Sequence, residues 1–182
     1  MSDKGATPEA VRRFTTEYVP AEDRIRISLE RADESLAVLW LTRRLAVRLI
    51  PQILKVIDTL PRLQGAGKLP QPSDNAQRRS QLDALGSIEQ QAPVLAGELP
   101  NDIETHLVSG LGIRMNRSMM LVDFRVDTDT VVQTLPFPEE SIRQWLGVLY
   151  AAFKRGGWKE DVWPAWITAK GWNEGPDALR LN

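Results

Sequence analysis

Chemistry has few places to start in this chain. Its 182 residues include one histidine, His106, and no cysteine, which excludes thiol nucleophiles, disulfides, zinc ribbons and iron–sulfur clusters. A serine nucleophile would have to find its base in His106, and no Gly-x-Ser-x-Gly elbow exists to present one. There is no Gly-x-x-x-x-Gly-Lys-Ser/Thr phosphate loop, and Gly110-Leu111-Gly112 lacks the third glycine and following helix of a dinucleotide site. A metal centre would therefore be mainly carboxylate, the ligand set of Mg²⁺ or Ca²⁺. The best local candidate for one is Val126-Asp127-Thr128-Asp129-Thr130, an apolar strand end followed by two spaced aspartates.

That segment resembles the first motif of the haloacid dehalogenase-like phosphatases. The resemblance implies a nucleophile at Asp127, an acid/base at Asp129 and a Mg²⁺ ion. It covers about five residues. In that family the motif opens a long parallel-sheet body, whereas only 52 residues follow it here. The segment is accordingly read as a polar turn between antiparallel strands, and no catalytic residue, cofactor or metal is assigned.

The other unusual feature is cationic. Leu41-Thr42-Arg43-Arg44-Leu45-Ala46-Val47-Arg48 sets arginines into the first turn of a predicted helix, where the macrodipole favours anions. Either a carboxylate of the acidic half, residues 81–182, compensates them, or a phosphate or other anion sits on the helix start, gripped by Arg43 or Arg44, with Arg48 in the same set. Arg24 and Arg26, on the polar face of an adjoining strand, extend the same set. No aromatic ladder, RNP consensus or zinc-finger spacing accompanies these arginines, so they make a patch and not a nucleic-acid motif.

The elements that would hold these residues follow from periodicity. Ile25, Ile27 and Leu29 alternate with Arg24, Arg26, Ser28 and Glu30, the pattern of a half-buried strand over 23–31. A turn at 32–35 and an apolar run over 36–41 complete a hairpin. From Thr42, the expected N-cap, the period becomes helical through Leu45, Leu49, Ile50, Ile53, Leu54, Ile57 and Leu60. Pro51 should kink or break this helix near Leu49, and Pro61 should end it. Residues 62–104, rich in Pro, Gly and Gln, read as a polar linker outside the core. Within it, Ser73 or Asp74 caps a short helix reaching Gln91 along a seam of Leu82, Leu85 and Ile88. Strands are expected over 106–115, 119–126 and 130–135. A helix over 139–155 follows, with Pro138 at its first position, acids at its start, and Gly156-Gly157 as its stop. Trp158, Trp163, Trp166 and Trp172 then crowd a C-terminal arm, which either packs its indoles across the protein's own sheet or binds a partner, with Trp172 the first to face one.

The expected fold is α+β: an antiparallel sheet drawn from two β-β-α-like halves, residues 1–61 and 105–182, and covered by two main helices. The two halves read either as a diverged duplication or as a coincidence of small α+β folds. They also differ in charge. Residues 1–80 carry 14 basic and 10 acidic side chains, a net +4, and residues 81–182 carry 9 and 14, a net −5. Opposite halves neutralise each other within the chain or across two copies. Without catalytic apparatus, membrane span or signal peptide, the chain reads as a non-catalytic cytoplasmic interaction or assembly protein. Its partner is another protein or a second copy of itself, bound through the arginine patch or through Trp163, Trp166 and Trp172 of the arm. The competing class is a nucleic-acid or phosphate-binding accessory protein using Arg24, Arg26, Arg43, Arg44 and Arg48.

Overall fold

A computed structural model describes residues 10–63, 72–89, 92–95, 97–127 and 129–169. The chain is α+β, with two antiparallel-dominated sheets and four helices among the described residues. Strands β1 (Val11–Val19), β2 (Arg24–Arg31) and β3 (Leu36–Thr42) form an antiparallel meander, and helix α1 (Arg43–Leu63) follows directly. After α2 (Asp74–Gly86), strand β4 (Glu104–Leu107) joins the first sheet parallel to β3. Strands β5 (Gly110–Asn116), β6 (Met119–Val126) and β7 (Thr130–Phe137) make a second antiparallel meander, followed by α3 (Glu139–Gly156) and the short α4 (Ala165–Thr168).

The expected single sheet is thus two sheets, and the expected strand over 106–115 is two strands. The chain changes sheet at Val108-Ser109: the Val108 amide donates to Trp40 O, and the Ser109 amide donates to Arg125 O on β6. Val108 is buried at this crossing, so its apolar character makes the break look like uninterrupted strand. The described parts of both halves follow the same order, three antiparallel strands and then a helix. Strand β1 is an addition to the expected set. Its inward row is Phe14, Thr16 and Tyr18, and Thr16 hides the apolar period because its hydroxyl is buried as the acceptor for Trp145 Nε1 at 3.0 Å.

One core serves both sheets. Ile25, Ile27 and Leu29 of β2, Leu39 and Leu41 of β3, and Leu49, Ile50 and Ile53 of α1 meet Phe124, Leu135, Phe137, Trp145, Leu149 and Phe153. Each such aliphatic side chain contributes roughly 1.5–3 kcal/mol by leaving water. That burial explains why α1 runs unbroken through Pro51, which lies on the solvent side while Leu49, Ile50 and Ile53 are fully enclosed. The helix also continues past Pro61 to Leu63, since a proline in the last turn removes one backbone bond and little remains downstream to disrupt.

Helix α2 departs furthest from expectation. It ends at Gly86, with the Ser73 hydroxyl accepting from the Ala76 amide at 3.3 Å, and it packs on α3 instead of lying outside the core. Its buried face is Gln77, Gln81 and Ala84, whereas Leu82 is exposed. Gln81 Nε2 donates to Arg143 O at 2.6 Å, and Arg143 donates to Gln77 Oε1 at 2.9 Å. A buried amide makes those bonds and a leucine cannot, so the glutamines turn inward. Leu85 reaches α3 where Gly147 leaves room; a Cβ there would sit 2.6 Å from Leu85 Cδ2. Pro138 is the N-cap of α3, one position earlier than expected, and Gly157 closes that helix in the left-handed region at φ 59°.

Candidate binding face

The five arginines of the expected patch do not form one surface. Arg26 is 6% exposed and belongs to the outer face of the first sheet. It is bound through Nε to Glu17 Oε1 at 2.8 Å and through NH1 to Gly97 O at 3.1 Å. Arg24 meets Glu22 at 3.4 Å. Both are therefore engaged within the chain, as β1 supplies the carboxylate opposite Arg26 in register. These carboxylates come from the basic N-terminal half, whereas the expected source is the acidic half.

Helix α1 is different. Thr42 Oγ1 accepts the Leu45 amide at 3.4 Å, so the cap expected from the sequence is present. Arg43, Arg44 and Arg48 are exposed. None has an ion pair within 4 Å among the described residues. Arg43 is close enough to the Asp23 carboxylate to help lower its pKa, behind the hydrogen bonds that Trp158 and Tyr18 donate to it. Lys55 is not part of the expected patch, because it lies well beyond the helix start where the arginines oppose the dipole. It follows Arg44 by eleven residues, three full turns, and so shares its side of the helix. From Arg43 to Ile57 the helix contains no acidic residue.

Arg44 and Arg48 border a groove of about 450 Å³ together with Thr42, Leu45, Leu107, Val108 and Ser109. Leu107 is 51% exposed, the most open of the large apolar side chains described. The groove thus combines guanidinium donors with an aliphatic floor, which suits a ligand carrying both carboxylate or phosphate oxygens and an apolar group.

The sole histidine is engaged elsewhere. His106 Nε2 lies 2.7 Å from Glu104 Oε1, and Arg31 binds Glu104 through two bonds of 2.6 and 3.0 Å. The Arg31 hydrogen bonds, with a smaller contribution from His106, hold the Glu104 carboxyl at about 2 despite the opposing effect of partial burial. This cluster secures β4 to β2. Asp127 and Asp129 are exposed in the tight turn between β6 and β7, and the Asp127 carbonyl accepts from Ser109 Oγ at 2.8 Å. They occupy the hairpin turn that the strand pattern suggests, instead of the end of a parallel strand.

The aromatic arm divides as well. Trp163 is 6% and Trp166 is 7% exposed, so both pack within the chain, the first of the two arrangements expected of the arm, and the alternative that they form a docking surface is corrected. Trp163 meets Tyr150 and Phe153 edge-on, with centroids at 5.2 and 5.3 Å. Trp158 donates to Asp23 Oδ1 at 2.8 Å. Indoles of this size find more apolar contact against α3 than any short exposed arm can offer. Trp172 lies outside the described residues. Among the described residues, no helix is long and apolar enough to cross a membrane. No protein-family model matches this chain, and neither the curated proteins nor the solved structures include one that matches it.

Proposed function

We propose that this is a non-catalytic interaction or accessory protein that binds an acidic partner protein through the exposed basic side of α1. The observation that carries the reading is the set Arg43, Arg44, Arg48 and Lys55: four cations on a helix without intervening acids, none in an ion pair among the described residues. Elsewhere among the described residues, Arg13, Arg26, Arg31 and Arg114 pair with carboxylates, and arginines without an ion pair, such as Arg79 and Arg117, stand singly on separate elements. Arg43 and Arg44 in the first turn are costly for α1, and together with Arg48 and Lys55 they present positive charge that suits a negatively charged partner. The aliphatic floor supplied by Leu45, Leu107 and Val108 favours a protein over a bare polyanion. A cysteine-free chain of this composition fits a cytoplasmic setting.

The experiment is affinity capture from the native host with the wild-type chain and with Arg44→Glu/Arg48→Glu/Lys55→Glu, each checked for folding by circular dichroism. Specific partners of acidic character should be lost with the variant. Equal capture by both proteins removes the reading. Nucleic acid is the alternative, favoured by the arginine content of the same side. It is recognised by binding of a DNA or RNA oligonucleotide whose affinity falls steeply with salt, with a slope close to the number of phosphates contacted.

A further inference from the structure

Among the described residues the sheets have four edges, and three of them are closed to a further strand. Strand β1 has a register shift between Val11 and Arg13 and presents Arg12, Arg13 and Glu17. Strand β7 carries Pro136, and β5 packs against α1. Bulges, charges, proline and a covering helix are the usual means of blocking an edge. Strand β4 has no bulge, proline or covering helix among the described residues, and its one carboxylate, Glu104, is tied to Arg31. Glu104-Thr105-His106-Leu107 contains no proline or lysine, pairs with β3 without a register shift, and packs extensively on no other described element. Glu104 and His106 are tied to each other and to Arg31, which leaves Thr105 and Leu107 as the other row of the strand, both exposed. The groove bounded by Arg44, Arg48 and Leu107 opens at the carboxyl end of this strand.

We propose that the open edge of β4 accepts a fifth strand from a partner protein, an extended segment alternating acidic and aliphatic residues. This rests on the reading of α1 given above and adds the form of the ligand. Main-chain amides and carbonyls of the segment pair with the free backbone groups of β4, which supplies affinity without regard to sequence. Carboxylates of the segment meet the unpaired guanidiniums of Arg44 and Arg48, and an aliphatic side chain covers Leu107. A length of four residues in β4 limits the pairing to a short segment, which protects the free protein from edge-to-edge association.

The test is selection of displayed random peptides, about twelve residues long to exceed the span of a typical strand, on the immobilised full-length protein, followed by synthesis of the enriched sequences with a fluorescent label. Enrichment of alternating Asp/Glu and Val/Ile/Leu is expected. Methylating alternate backbone nitrogens of such a peptide, which removes its edge hydrogen bonds and leaves its side chains, should weaken binding about tenfold or more. Arg44→Glu/Arg48→Glu should weaken it by a similar factor, with an unchanged circular-dichroism spectrum. If methylated and parent peptides bind equally, strand addition is wrong while the role of α1 stands. If enriched peptides ignore the charge reversal, the α1 reading fails as well. An absence of enrichment, selection of basic peptides, or a dimer in sedimentation that must dissociate before peptide binds would each overturn the proposal, the last by making a second copy the occupant of the edge.

Discussion

Helices α1 and α3 each follow a three-stranded meander and bury one side in the same core, yet their charges are arranged in opposite senses. In α3, Glu139 and Glu140 stand in the first turn and Lys154 and Arg155 in the last, the order that complements the helix dipole. In α1 the first turn holds Arg43 and Arg44 and no acid. The acids of α3 are also occupied: Glu139 binds the buried Arg143 at 3.2 Å, and Glu140 bonds to Ser87 on the segment after α2. The lesson is that α3 has been arranged for its own stability, whereas α1 keeps an arrangement that opposes it. Charge that a fold leaves uncompensated is the best marker here of a surface used for something other than folding.

The sharpest way to test that contrast begins where the two helices should be alike, in the core. Trp145 is fully buried, stacks on Phe137 at 4.8 Å and donates to Thr16. Trp145→Ala should cost about 3–5 kcal/mol in denaturant unfolding, a large share of the roughly 5–15 kcal/mol that holds an ordinary domain together. A loss below about 1 kcal/mol, far under the cost of emptying a packed indole site, would mean that α3 does not anchor the second meander. Glu139→Gln should cost about 1–3 kcal/mol, because it removes both an acid from the helix start and the carboxylate that faces a 4%-exposed arginine. A neutral result would show that Arg143 is satisfied by Gln77 alone.

Acid titration tests the anchoring of β4, beside the groove. The Glu104 carboxyl is lowered from 4.5 to about 2, first by the hydrogen bonds from Arg31. A group whose folded value lies below its unfolded one stabilises the protein above the unfolded value and ceases to do so as pH falls through the folded one. Stability measured by urea unfolding should therefore drop between about pH 4.5 and pH 2 in the wild type, and by less in Glu104→Gln. Parallel curves for the two proteins would exclude this carboxylate from the acid response. The effect is modest, since the Glu104 side chain is nearly half exposed and solvent screens it.

The smallest effect is the most diagnostic. Arg44→Glu should raise stability by about 0.3–1 kcal/mol, since it replaces a charge opposed to the dipole with one that favours it. The same substitution should weaken partner capture. A variant that is both less stable and still competent to bind would reverse the comparison on which the functional proposal depends.

Several features are legible without coordinates because they depend on neighbours in sequence. The alternation of Ile25, Ile27 and Leu29 produces β2, the helical stripe from Leu45 to Ile57 produces α1, and Gly157 stops α3. Those patterns act through backbone geometry and solvent, which are the same in any fold of this class. The α+β class follows from them. Strand β1 and the buried side of α2 are not legible, because Thr16, Gln77 and Gln81 are polar groups whose burial depends on Trp145 and Arg143, 129, 66 and 62 positions away respectively. The binding face divides in the same manner. That five arginines cluster near the first helix is visible in the chain. Which of them remain available is decided only when β1 brings Glu17 to Arg26, leaving Arg44 and Arg48 beside Leu107 with no acid paired to them among the described residues. Local patterning places a charge on a surface, but only the packed chain determines whether an opposite charge arrives to neutralise it.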